Sequence, residues 1–229
     1  LIIPMQNIDA AQYKGLYQIS NGSMQAQSIP TLSRINGFLE FTESSLTAKN
    51  INASAFGTPV AFSVNSGKDK IIRINAKGKI DDNGIKQLLI EQSSAGSNTV
   101  NNAQNAASWA KGARYFTGST DWAADISIQK PTVNIAIRSD LFGLSSRLPI
   151  PFNKLANERL NLRVDNKQEL NRDTMTVSLG NKLAAKIIRT IDNNKMKFDR
   201  GSVRVNSSPA NINASVASDL NTNLELSKN

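Results

Sequence analysis

The stretch from Phe116 to Lys154, FTGSTDWAADISIQKPTVNIAIRSDLFGLSSRLPIPFNK, decides the fold. Every second residue is apolar over 124–128, and the same alternation resumes over 133–137 after the Lys130-Pro131 dipeptide. Successive side chains of a strand point to opposite faces of a sheet. The stretch therefore predicts a hairpin of two strands with one apolar and one polar face.

A turn and a proline-bounded segment follow this hairpin. Ser139-Asp140 supplies short polar side chains that can accept hydrogen bonds from backbone N–H groups, and Gly143 permits a backbone angle that other residues resist. The leucines between 141 and 148 are predicted to pack back on the sheet. Prolines flank Ile150 on both sides. Because proline has no N–H to donate, this segment is predicted to form an edge or an extended rim.

The rest of the chain repeats the alternation in short segments. They lie at 13–19, 24–29, 35–41, 46–55, 60–64 and 71–80 before the central stretch, and at 160–164, 175–179 and 184–191 after it. Asn-Gly pairs at 21–22, 36–37 and 83–84 are typical of hairpin turns. The chain is therefore predicted to be mainly β, with 1–195 as one segment of antiparallel strands and 196–229 as the truncated start of a further β repeat.

Residues 84–114 interrupt the strands. Ile85, Leu88 and Leu89 have helical spacing after Asp81-Asp82, which predicts a short helix at about 84–92. The segment NAQNAASWAKGA predicts a second helix that ends at Gly112. One or two short helices are therefore expected beside the sheet.

The residue types present exclude several kinds of catalytic site. The chain has 229 residues and contains neither cysteine nor histidine, so Ser-His-Asp, Cys-His and histidine-bearing zinc sites are impossible. The carboxylates of Asp121, Asp125, Asp140 and Glu158 lie near the central stretch without a local pattern typical of an acid or a nucleophile, and residues 81–84 lack the later ligands of a calcium loop. The sequence predicts no enzyme, no metal site and no cofactor.

The chain is basic, with a formal net charge of +9. This charge is compatible with an anionic partner, either nucleic acid or the headgroups of anionic lipids. The basic residues are spread singly, however, and basic and aromatic residues mix only at 111–116. The pattern therefore favours solvated outer faces and predicts no nucleic-acid partner. The apolar runs are also too short to span a membrane.

The apolar positions of the alternating segments are the candidate lining of one common surface. An apolar content of 39% with only 6% aromatic residues favours a one-sided sheet or an open groove over a closed two-layer core. A β-sandwich would use the same residues, so the pattern alone leaves groove and core as alternatives. The candidate lining consists of Val60, Phe62, Val64, Ile72, Ile74, Ile126, Ile128, Val133, Ile135, Ile137, Leu162, Val164, Met175 and Val177.

The central stretch also resembles a known family. Residues 139–154, SDLFGLSSRLPIPFNK, preceded by TGSTDWAADISI at 117–128, are similar in sequence and spacing to the signature of the AsmA-like, DUF3971 (YhdP-like) family of Gram-negative envelope proteins. The chain departs from that pattern in the Asn/Ser/Ala-rich segment at 93–108. The matching motif positions, carried over as structural elements, are Ser139, Asp140, Leu141, Gly143, Leu144, Leu148, Pro149, Pro151, Phe152 and Lys154.

The resemblance implies an elongated, twisted antiparallel sheet that forms an open groove or half-barrel. It further implies a periplasmic protein, tethered to the inner membrane by an anchor outside this segment, that moves phospholipid between the membranes and maintains the outer-membrane barrier. The expected partners are phospholipid acyl chains and neighbouring repeats of the same full-length chain, without a cofactor. The alternative hypothesis is a non-catalytic structural or protein-binding β module of the cell envelope.

Overall fold

The alternating segments pair into antiparallel strands, as predicted, except that the separate strands expected at 13–19 and 24–29 are replaced by one strand over 14–26. The computed structural model of the protein describes residues 13–26, 29–94, 111–192 and 195–206. In chain order the elements are β1 (Lys14–Ala26), β2 (Ile29–Thr42), β3 (Leu46–Ala55), β4 (Thr58–Ser66), β5 (Ile72–Asp81), α1 (Asp82–Ser94), β6 (Phe116–Gln129), β7 (Thr132–Ser139), β8 (Leu144–Ser146), β9 (Leu162–Gln168), β10 (Arg172–Leu179), β11 (Leu183–Asp192) and β12 (Lys195–Val205).

These strands form one sheet with an almost sequential order. The order is β1-β2-β3-β4-β5-β6-β7-β9-β10-β11-β12, and the short β8 pairs with β6 outside this path. The sheet is open, since β1 and β12 lie at its two ends and do not close it into a barrel. The prediction of a mainly β fold, built on an open antiparallel sheet with short helices, is confirmed.

The central hairpin forms as its alternation predicts. β6 and β7 pair around the Lys130-Pro131 turn, with Ile126 directly opposite Ile135. The register continues into β5, where Ile74 lies opposite Ile126. Because directly opposed residues share a face of the sheet, three neighbouring strands present their isoleucines on the same side.

Two Asn-Gly pairs predicted as hairpin turns lie inside strands instead. Asn21-Gly22 falls within β1 and Asn36-Gly37 within β2, where the register of the β1–β2 pairing shifts. Asn21 has a φ of 49°, and its N–H donates to Oδ1 of Asn36 at 2.9 Å. A residue that tolerates positive φ suits a β-bulge as well as a turn. Here β2 has hydrogen-bonded neighbours on both sides, so the strands continue through the bulges.

The third Asn-Gly pair lies in the first turn of α1. Oδ1 of Asp81 accepts a hydrogen bond from the N–H of Gly84 at 2.8 Å, which caps the helix N-terminus. The hairpin turn expected at 83–84 is therefore wrong, whereas the helix expected after Asp81-Asp82 is confirmed and packs on β5 and β6. Residues 111–113 are helical, and the remainder of the second predicted helix lies outside the described residues.

The most buried part of the sheet lies where β2, β3 and β4 meet. We call it the N-terminal core, and it consists of Ile35, Ala48, Ile51, Ala53, Ala55 and Val60. Ile51 is only 1% exposed, and Trp122 from β6 packs against the same cluster. The apolar side chains therefore seal against each other at this end of the sheet.

The sheet continues beyond residue 195. β12 pairs with β11 in an antiparallel register interrupted by one shift after Ile188. Residues 207–229 lie outside the described part of the chain. The start of a further repeat near residue 196 therefore stays a prediction.

Candidate functional site

Cross-strand register places the whole candidate lining on one side of the sheet, which we call the apolar face. One row of opposed residues consists of Phe62, Ala76, Ala124, Ile137, Val164 and Val177, and the next of Val64, Ile74, Ile126, Ile135, Asn166 and Met175. The other candidates occupy the flanking rows of the same face, namely Val60, Ile72, Ile128, Val133 and Leu162. The alternation in the sequence thus becomes a largely apolar surface that extends from β4 to β10.

The middle of the apolar face is half-exposed. Val60 belongs to the N-terminal core and is 5% exposed, whereas the other candidate side chains, from Phe62 to Val177, are only partly buried. Within the described ranges, every strand except β8 belongs to the same path of paired strands, and β8 pairs with β6 of that path. A sandwich partner for this face is therefore missing from that part of the chain, which favours an open surface over a closed core.

The size of the apolar face suits a hydrocarbon chain. Residues 122–128 of β6 span roughly 20 Å at about 3.3 Å per residue, while the hydrocarbon of one bilayer leaflet is about 15 Å thick. Between β4 and β10 the face covers on the order of 500 Å² at a strand spacing of about 4.8 Å. The largest apolar patch on a typical soluble monomer is about 300–600 Å² and often functional, so a face of this size is compatible with a binding surface.

The opposite side of the sheet is polar, and we call it the polar face. Asp125 accepts hydrogen bonds from Nδ2 of Asn75 at 2.7 Å and from Nη1 of Arg138 at 2.6 Å. These two partners, Asn75 first, lower the pKa of the Asp125 carboxyl. A hollow of about 570 Å³ lies on this face between paired side chains that include Asp125 and Lys167. The two faces therefore differ in chemistry: one presents apolar side chains, and the other presents polar side chains that hydrogen-bond to each other.

The motif at 139–154 forms a loop pinned to β6. The Ser139 hydroxyl and the Asp140 carboxylate accept hydrogen bonds from the backbone two residues on, at 3.1 Å each, as the turn chemistry predicts. Leu144 is 6% exposed, and its strand β8 pairs with the start of β6. The segment around Ile150, expected as an edge or rim, is an exposed loop in which Ile150 is 84% exposed.

Two glycines fix the closest approach in this loop. Gly118 has a φ of 101° and Gly143 a φ of 88°, both in the region that favours glycine. A Cβ on Gly143 would lie 2.5 Å from the carbonyl oxygen of Ser119, and a Cβ on Gly118 would overlap the carbonyl oxygen of Gly143. The loop and β6 therefore touch backbone to backbone, which only glycine allows.

Lys154 is buried beneath the same loop and hydrogen-bonds to its backbone. It is 5% exposed, and its Nζ donates to the carbonyl oxygens of Leu144 at 2.7 Å and Leu155 at 2.9 Å. The backbone of Lys154 also pairs with Ser146 in both directions. The final residue of the sequence motif thus holds the two arms of the loop together, and its role is structural.

Replacing Lys154 with methionine is expected to lower the free energy of unfolding by about 1–3 kcal/mol, since buried carbonyls lose their donor. Burial also lowers the pKa of Lys154 below its usual 10.5. Between the lowered pKa of Lys154 in the folded protein and its ordinary pKa in the unfolded chain, the unfolded chain binds more protons than the folded one. The wild type should therefore gain stability relative to the variant as pH rises through that range. Urea unfolding of both proteins from neutral pH upward checks this. A difference that shrinks with pH would contradict it, and Lys77→Met, at an exposed site, is the control.

A polar group, which the alternation in the sequence does not predict, interrupts the apolar face. We call it the Asp173 cluster, made of Asn166, Asp173 and Arg189. Asp173 is 0% exposed, and its carboxylate accepts hydrogen bonds from Nε of Arg189 and Nδ2 of Asn166, each at 2.8 Å. The signal in the sequence is a break in alternation, because Asn166 stands where Leu162 and Val164 predict a further apolar residue.

The other carboxylates near the central stretch have structural partners. Asp121 pairs with Lys79 at 2.9 Å, Asp140 pairs with Arg159, and Oε2 of Glu158 accepts from the N–H of Leu155 at 3.0 Å. Groups of three or more metal-binding side chains are absent from the described ranges. Each of these carboxylates therefore has a hydrogen-bonding or ion-pairing partner within the described fold.

The fold and the site define a class of protein: a β protein whose described strands form one open sheet with a largely apolar face and a polar face. The chain belongs to the YhdP family, because the model of that family, described as YhdP protein, matches residues 1–228. This confirms the family assignment predicted from the central stretch. No curated protein and no solved structure matches the chain. Among the described residues, helices with the length and apolar character of a membrane span do not occur.

Proposed function

We propose that this chain binds the acyl chains of phospholipids on its apolar face, as part of a protein that moves phospholipid between the inner and outer membranes. The observation that carries the proposal is the half-exposed middle of that face, which extends from Val64 on β4 to Met175 on β10. Membership of a family of envelope proteins supports the same function.

The energetics favour lipid as the ligand. Each methylene group transferred from water to an apolar surface contributes about 0.8 kcal/mol, so an acyl chain laid along several rows gains considerable free energy. Ile74, Ile126 and Ile135 present such a surface on adjacent strands. The gain is non-directional, which suits a carrier that must bind chains of varied length and release them.

The proposed setting is the periplasm, with a membrane anchor outside this segment and neighbouring repeats of the same chain at its edges. The last strand supports the second point, since Phe198, Val203 and Val205 of β12 are 62%, 65% and 51% exposed. An open strand edge with apolar side chains is a template for pairing with another strand. Continuation of the sheet there would lengthen the apolar face and maintain a path for lipid between the membranes.

Lipid analysis of the purified protein tests the proposed function. Mass spectrometry of extracts is expected to find phospholipid bound to the protein, and a fluorescent phospholipid should bind it saturably. A protein that carries no lipid and takes up no fluorescent probe would contradict the proposal and favour a structural or protein-binding module of the cell envelope.

A further inference from the structure

The Asp173 cluster lies at one end of the rows that form the apolar face. The outermost row passes from Ile128 and Val133 to Gln168, and from there to Asp173 and Arg189. This row is apolar on β6 and β7 and polar on β9, β10 and β11. A charged group therefore stands at the margin of an otherwise apolar surface, next to the turn that joins β9 to β10.

Arg189 is held in place by Asp173 while part of its side chain stays exposed. Its Nε and Nη2 both contact Oδ2 of Asp173, at 2.8 Å and 2.5 Å, while its side chain remains 31% exposed. A guanidinium carries five N–H donors in a rigid fork. The contact with Asp173 engages Nε and Nη2, whereas Nη1 has no hydrogen-bond partner among the described residues, so the fork keeps donors that a ligand can use.

Asn166 adds a second polar atom without a partner. Its Nδ2 donates to Oδ1 of Asp173, whereas its own Oδ1 is buried and has no hydrogen-bond partner among the described residues. A buried acceptor left unpaired is unfavourable and needs an explanation. A phosphodiester has no N–H or O–H to donate to this oxygen, whereas the ammonium group of an ethanolamine headgroup beside Arg189 would satisfy it.

We propose that the Asp173 cluster binds the phosphate of a glycerophospholipid headgroup, an inference that rests on the proposed function. Arg189 donates to the phosphate oxygens, which match its fork. The acyl chain then runs along β10 over Met175, Val177 and Leu179, a distance of roughly 20 Å from residue 173 at about 3.3 Å per residue. The cluster thus orients the bound lipid, with the headgroup beside the turn between β9 and β10 and the acyl chain directed away from that turn.

A pair of neutralising variants tests the headgroup site. The double variant Asp173→Asn, Arg189→Gln removes both charges, so that no buried charge is left alone. It is expected to bind fluorescent phosphatidylethanolamine about 10-fold more weakly, the loss of one charge-assisted contact, and to bind a diacylglycerol with the same fluorescent chain as well as the wild type does. The matched control is Asp125→Asn, Arg138→Gln, which removes a similar pair from the polar face and should change neither affinity.

Each other outcome has a definite meaning. A wild type that binds neither probe would overturn the proposed function itself, whereas equal losses for both probes, or no loss, would overturn the headgroup site alone. Inorganic phosphate titrated without lipid is expected not to bind, and binding of it would overturn the assignment to a lipid headgroup. Should the double variant fail to fold, Arg189→Lys keeps the charge, loses the fork and should show the same selective weakening. An equal loss of affinity for both probes in that variant, or no loss for either, would overturn the headgroup site.

Discussion

Replacing Ile135 with aspartate is expected to lower the affinity for a fluorescent phospholipid at least about 10-fold relative to the wild type. Ile135 lies in the middle of the apolar face, between Ile126 on β6 and Asn166 on β9. A carboxylate there would lose its hydration whenever an acyl chain covered it. Because the position is half-exposed in the free protein, the charge can remain in contact with water until lipid binds.

The neighbouring residue on the same strand provides the control. Asn134 is exposed on the polar face and lies opposite Ser127 and Lys167, so Asn134→Asp introduces the same side chain beside a positive charge. This variant should bind the fluorescent lipid as the wild type does. Circular dichroism and thermal unfolding of both variants separate a loss of binding from a loss of fold. Equal uptake by the Ile135 variant and the wild type would contradict the role of the apolar face.

Replacing Gly143 with alanine should cost about 3 kcal/mol or more of unfolding free energy, a large effect for the addition of one methyl group. Its φ of 88° disfavours any side chain, and a Cβ would lie 2.5 Å from the carbonyl oxygen of Ser119. The backbone on both sides of this contact is fixed by the pairing of β8 with β6. The loop must therefore move away from β6, which also disturbs the contacts of Leu144 and Lys154.

Chemical denaturation measures this effect, and Gly67→Ala is its control. A Cβ at Gly67 would meet no atom within 4 Å, so this substitution should change the free energy of unfolding by no more than about 1 kcal/mol. Hydrogen exchange should locate the damage of Gly143→Ala in the loop at 140–160 and the start of β6. Comparable stability of the two variants would contradict the close backbone packing.

Much of the sheet could be predicted from the sequence because its signal is local. Alternation alone assigns Ile74, Ile126 and Ile135 to one face, and the side chain of Asp81 marks the start of α1. The errors at Asn21-Gly22 and Asn36-Gly37 have a physical origin. A turn and a bulge both need a residue that accepts positive φ, and the choice between them depends on strands that pair from elsewhere in the chain.

The site could be predicted only in part, for a related reason. The apolar rows follow from period-two alternation, but the Asp173 cluster depends on a contact between residues 16 positions apart on different strands. Asp173 by itself resembles any other polar residue near a turn. Its burial becomes apparent only when the register places Arg189 opposite it and Asn166 beside it.

Photocrosslinking along β7 tests the central claim most directly. A photoreactive amino acid is placed in turn at each position from Val133 to Arg138, and the protein is irradiated with bound phospholipid. We expect lipid adducts at Val133, Ile135 and Ile137, which face the apolar rows, and none at the three alternate positions on the polar face. Adducts without this period of two, or confined to the polar face, would contradict the account.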